Sequence, residues 1–161
     1  MSFFSKGLNT ILITLIIAFI LTLLPLPEWA ASFRPQWIAM VVIYWSLALP
    51  HRFGIVTAWI IGLFLDVLTG TLLGEHALAL SIIIYIILRS YARVRLFPIW
   101  QQSIVVALLL MLYQFIILWP QSFIHRLPVI DHYWISPFIS MLLWPWAFYL
   151  LRATRRKYKV K

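Results

Sequence analysis

Cysteine is absent from the 161 residues, which excludes a disulfide framework, a thiolate metal site and a thiol nucleophile. Acidic side chains are almost as scarce: Glu28, Asp66, Glu75 and Asp131 are all there are. None of them forms the close pair that general acid–base chemistry uses, and no serine has a histidine and a carboxylate nearby in sequence. The histidines His51, His76, His125 and His132 have no i, i+3 or i, i+4 spacing on a convincing helix, so a metal set is not expected. Glycine occurs five times and builds no phosphate-cradling loop. No catalytic residue and no cofactor is therefore expected. Charge as a whole is thin at 11%, against about a quarter in a soluble domain.

What is present is apolar surface. Hydrophobic residues make up 64% of the chain, more than one globular core can hide, so lipid must solvate much of it. The expectation is a single polytopic membrane domain over 1–161, an all-α integral membrane protein. Spans are expected at about 8–24, 36–50, 53–73, 77–91, 100–119 and 135–151. Pro25 and Pro27 stop the first, which reads as an uncleaved span rather than a secretory signal because apolar segments continue after it. Pro35 suits the first position of the second helix. That second span is short. About 15 residues reach roughly 22 Å, less than the ~30 Å hydrocarbon core. It must thin the bilayer, sit among other helices or continue irregularly past Pro50. Tryptophans Trp100 and Trp119 bracket the fifth span as interfacial anchors. Pro120 to Trp134 reads as a loop, and Pro145 is expected to kink the sixth span.

The net charge of +9 suggests nucleic acid at first sight, but the placement of the cations argues for topology. Alternate assignment of the loops puts Lys6, Arg52, Arg89, Arg93, Arg95 and the six basic residues from Arg152 to Lys161 on one side. Arg34 and Arg126 fall on the other. Excess Lys and Arg marks the cytoplasmic side, so both termini are expected in the cytoplasm with six spans between them. The basic face can touch anionic headgroups, and no nucleic-acid partner is expected.

The third span holds the most informative row. Every fourth position reads Gly54, Ala58, Gly62, Asp66, Gly70, Gly74, so four of the five glycines fall on one stripe with a carboxylate among them. Small residues let helices approach closely in lipid, and a buried carboxylate needs a partner. Three readings stand for Asp66: a hydrogen-bonding post between helices, a ligand or proton site, or a position near the outer end of a shorter helix. Phe33 to Trp37, with Arg34 and Trp37 as its polar and aromatic members, forms a compact cluster that can dock a partner or fix the start of the second helix.

Four segments together resemble a known family. They are Phe33-Arg34-Pro35-Gln36-Trp37, Tyr44 to Arg52, Gly62 to Gly74 and Leu143-Trp144-Pro145-Trp146. In this order and in a chain this short, they resemble the rod-shape-determining MreD proteins of Gram-negative bacteria, over nearly the whole length. The resemblance implies a non-enzymatic inner-membrane scaffold of the cell-wall elongation complex. Its partner would be MreC, and, directly or through MreC, MreB, RodA and the class B penicillin-binding transpeptidase. It also implies a six-transmembrane-helix bundle similar to the substrate-binding subunits of energy-coupling-factor transporters. The alternative class is a substrate-binding or transport subunit for a small molecule or lipid, with Asp66 and the outer loops lining its pocket.

Overall fold

The computed structural model of the chain describes residues 2–124 and 130–160. His125 and Arg126, placed in the fifth loop by the sequence, lie outside the described residues. All regular structure among the described residues is helical: α1 (Ser2–Leu23), α2 (Glu28–Ala31), α3 (Trp37–Ala48), α4 (Ile55–Thr69), α5 (Glu75–Val94), α6 (Ile99–Phe123), α7 (Ile130–Tyr133) and α8 (Ile135–Lys157). Of these, α5 and α6 are long and apolar enough to cross a bilayer, and three shorter apolar stretches lie at Gly7–Leu23, Trp37–Ala48 and Ile55–Thr69.

The short helix α3 is the centre of the molecule. It packs against α1, α5, α6 and α8, while α1, α4, α5, α6 and α8 touch in sequence around it. Every residue from Ile38 to Leu47 is buried, and Val42, Ile43, Trp45 and Ser46 have no exposure at all. Its sequence explains this, since WIAMVVIYWSLA is apolar on every side and has no face to offer water. Two of its polar groups are satisfied nearby: Ser46 donates to the Val42 carbonyl at 2.9 Å, and Trp45 Nε1 donates to Thr14 Oγ1 of α1 at 3.0 Å. Of the three routes open to so short a helix, α3 takes enclosure by its neighbours.

The outward faces of α1, α4 and α6 carry many large apolar side chains. Ile13, Ile16 and Ile20 on α1, Val56, Phe64 and Val67 on α4, and Leu108 and Phe115 on α6 are all exposed. Apolar surface of this extent marks contact with something other than water.

Several helix ends differ from the sequence boundaries, each for a local reason. Helix α4 stops at Thr69, not near residue 73, because Gly70 takes the left-handed conformation at φ 69° and Thr71 N–H bonds back to the Asp66 carbonyl at 3.2 Å. Helix α6 runs through Pro120 to Phe123, where a loop was expected. The ring removes one backbone hydrogen bond, a small loss this close to a helix end. Helix α8 stays helical across Pro145 and carries the basic run to Lys157. Pro137 falls in its first turn, where an N–H would have no helical partner.

Candidate functional site

The last turn of α4 and the first turn of α5 meet at Asp66, which is 1% exposed. Oδ1 accepts from the His76 backbone N–H at 2.9 Å and from Thr71 Oγ1 at 3.1 Å, and His76 Nδ1 stands 2.7 Å from it. Oδ2 accepts from the Gly74 backbone N–H at 2.8 Å. A helix N-terminus leaves its first N–H groups without helical partners and carries partial positive charge. Asp66 supplies both missing terms to α5 from a neighbouring helix. Hydrogen bonds to a charged acceptor are worth about 1.5–3 kcal/mol each, so the carboxylate is held by the chain itself. The adjacent Glu75 ties the same helix end sideways, its Oε1 accepting from Gln121 Nε2 of α6 at 2.6 Å.

The stripe of small residues divides into two kinds of position. A Cβ on Gly62 would stand 2.3 Å from Ala77 Cα and 2.5 Å from Ala77 N, so the backbones of α4 and α5 touch there. Ala58, one turn earlier, is fully buried. Gly54, Gly70 and Gly74 have open space where a Cβ would go. Gly70 and Gly74, at φ 69° and 99°, turn the chain rather than admit a helix. The helix that approaches α4 closely therefore belongs to the same chain.

Arg34 and Trp37 lie across the same end of the molecule. The Arg34 guanidinium donates to the carbonyls of Thr22 and Leu24, covering the C-terminus of α1, where a cation is favoured. The Arg34 carbonyl accepts from Ser136 Oγ at 2.7 Å, and the Gln36 N–H donates to Ser140 Oγ at 3.0 Å. This stretch is thus docked on α8. Trp37 is half-buried and packs on the core.

Beneath it lies a cavity of about 470 Å³, whose lining includes Arg34, Gln36, His76, Tyr113, Gln114 and Tyr133. Arg34 Nε, Gln36 Oε1 and Gln114 Oε1 are buried without a hydrogen-bond partner. Gln114 Nε2 donates to the Tyr133 carbonyl at 3.2 Å. Burial, and secondarily the Glu75 charge, push the Tyr133 hydroxyl up to about 12, so it is a neutral donor at physiological pH. No group of three His, Asp or Glu residues capable of holding a metal occurs among the described residues. The sequence singled out Asp66 but missed its partners. His76 and Thr71 were separable only by noticing that Gly70 and Gly74 bracket a tight turn back onto the carboxylate.

Fold and site together define an all-helical protein with helices of membrane-crossing character, its α4–α5 turn tied by a buried carboxylate. The family described as rod shape-determining protein MreD matches residues 4–154. A rod shape-determining protein MreD of Haemophilus influenzae (strain ATCC 51907 / DSM 11121 / KW20 / Rd) is 37% identical over 151 residues, covering 94% of this chain and 93% of that protein. No solved structure matches. The chain belongs to the MreD family, and its role lies in determining cell shape.

Proposed function

We propose that the chain is a non-enzymatic scaffold of the inner membrane that binds MreC and helps position or activate peptidoglycan synthesis. The observation that carries this reading is the state of Asp66. Both oxygens of this buried carboxylate are occupied by donors of its own chain, which leaves it as a post between helices rather than a reactive group. What the molecule offers outward is apolar helix surface, suited to partner helices in lipid. MreB, RodA and the class B penicillin-binding transpeptidase would be engaged directly or through MreC.

The six-span arrangement, with both termini cytoplasmic, belongs to the same proposal. The clustering of Arg95, Arg152 and Arg155 around one cavity supports it, because it brings two loops assigned to the inner side to one end of the molecule. The likeness to energy-coupling-factor substrate-binding subunits is part of it too. Photocrosslinkers on exposed positions such as Phe64 and Leu108 should capture MreC from membranes, and depletion should turn rods round. Retained rod shape without a redundant copy would refute the assignment.

A second reading draws on the three unpartnered polar atoms around the outer cavity. That cavity would hold a small polar molecule in a binding or transport subunit. Native mass spectrometry of the purified protein decides between them. A retained small molecule lost on Gln114→Leu, with no MreC crosslink, would favour the second.

A further inference from the structure

The opposite end of the bundle holds a smaller cavity of about 200 Å³ where α3, α5, α6 and α8 converge, lined by Tyr44, Arg95, Gln102, Phe148, Arg152 and Arg155 among others. Three guanidinium groups from two separate elements meet here, Arg95 from the end of α5 and Arg152 and Arg155 from one face of α8. The close contact of the Asp66 carboxylate with the His76 imidazole lies at the other end of the molecule. No carboxylate of the described residues neutralises the three arginines.

The floor of the cavity is polar and incompletely bonded. Gln102 is 4% exposed. Its Nε2 donates to the Val94 carbonyl at 3.0 Å and the Phe97 carbonyl at 3.4 Å, which fixes the amide. Its Oε1 is buried and accepts nothing. Buried polar atoms are rarely left so without a ligand or water to meet them. The cavity thus combines forked cationic donors and the Tyr44 phenol with one fixed acceptor.

Guanidinium groups match the oxygens of phosphate in pairs, and basic pockets between membrane helices on the cytoplasmic side hold lipid headgroups. The fixed acceptor adds a requirement for a hydroxyl beside the phosphate. The volume lies below the ~300 Å³ at which pockets for drug-sized ligands begin, so it suits a small headgroup. We propose that this cavity binds a hydroxyl-bearing glycerophosphate group, the chemistry shared by phosphatidylglycerol and soluble glycerol phosphate. The arginines and Tyr44 hold the phosphate oxygens, and Gln102 Oε1 accepts from the glycerol hydroxyl. The site rests on the membrane reading of the chain but not on its partners.

Native mass spectrometry of the detergent-purified protein tests it with three probes: phosphatidylglycerol, phosphatidylcholine and soluble glycerol 3-phosphate. Phosphatidylglycerol should be retained at least tenfold over phosphatidylcholine. Arg152→Gln with Arg155→Gln should remove that preference, and Tyr44→Phe should weaken it about threefold. Arg89→Gln with Arg93→Gln, basic residues outside the cavity, should leave it within twofold. Displacement by glycerol 3-phosphate at matched concentration would identify the soluble form as the ligand, and its failure to displace the lipid form. Equal loss in the Arg89/Arg93 pair would reveal diffuse surface charge and overturn the site. Absence of binding by both glycerophosphates would do the same. Should the arginine pair fail to accumulate, Tyr44→Phe decides alone, since it keeps the ring, and an unchanged preference overturns the proposal. MreC crosslinking is read separately, so failure here leaves the scaffold proposal standing.

Discussion

The two ends of the bundle treat charge in opposite ways. At the α4–α5 end, Asp66, Glu75 and Arg34 are all committed to bonds within the chain. At the other end, Arg95, Arg152 and Arg155 face a shared cavity with no described carboxylate near them. One end spends its carboxylates on holding helices together, although Arg34 Nε, Gln36 Oε1 and Gln114 Oε1 there are buried without partners. The other keeps its guanidinium groups available. A buried charge is tolerable only when its surroundings satisfy it, whereas a cation at an interface can wait for an external anion. Charge density alone therefore misjudges the two ends, since the acid-poor end is the less self-contained.

Mutations at the committed end should cost the most. Gly62→Leu forces a side chain into the Ala77 backbone, which nothing flexible relieves. Overpacking costs about 1–3 kcal/mol even where neighbours can shift, and here the upper end or more is expected. Membrane levels should collapse, and normal accumulation with intact crosslinking would break the contrast. Asp66→Ala should come next, at about 3 kcal/mol, because it strips the acceptor from two backbone N–H groups of the α5 start. Loss of thermal stability in detergent measures it.

Asp66→Asn sharpens the comparison further. Both carboxylate oxygens accept, so an amide must set its NH₂ group against the Gly74 N–H or against the cluster of His76 and Thr71. A loss of about 1–2 kcal/mol is expected, intermediate between wild type and alanine. Wild-type stability in this variant would show that one of the two acceptor positions is dispensable. Last comes the open end. Arg152→Gln with Arg155→Gln should change stability by less than about 0.5 kcal/mol, as substitutions of exposed or half-buried charges away from the core usually do. A large melting shift in lipid-free detergent would mean that those arginines are structural after all.

The sequence carried the helical, apolar class of the chain and the prominence of Asp66, because a lone carboxylate between long apolar runs is conspicuous at any resolution of reading. It left the division of the small-residue stripe open, with a shorter helix ending beyond Asp66 as one of three readings. A four-residue repeat looks the same whether the helix continues or stops, and Gly70 in the left-handed conformation stops it at Thr69. The next glycine then falls on the same count by way of a turn. Nor could periodicity separate α3 as the hub. A helix apolar on all sides has no preferred face, so its position among neighbours comes only from tertiary packing. The arginine-lined cavity was invisible for a related reason, since Gln102 and Arg155 lie far apart in sequence and on different helices.

The enclosure of α3 also bears on how the molecule is made. Twelve residues rise about 18 Å, well short of a ~30 Å hydrocarbon core. Left alone in lipid after synthesis, such a helix would hold its polar ends below the headgroups. Its later neighbours α5, α6 and α8 supply much of its cover, and α8 is the last of them to emerge from the ribosome. The cover of α3 is thus incomplete until α8 has been made. A nascent chain interrupted before α8 would leave a short, uncovered segment for quality-control proteases to find.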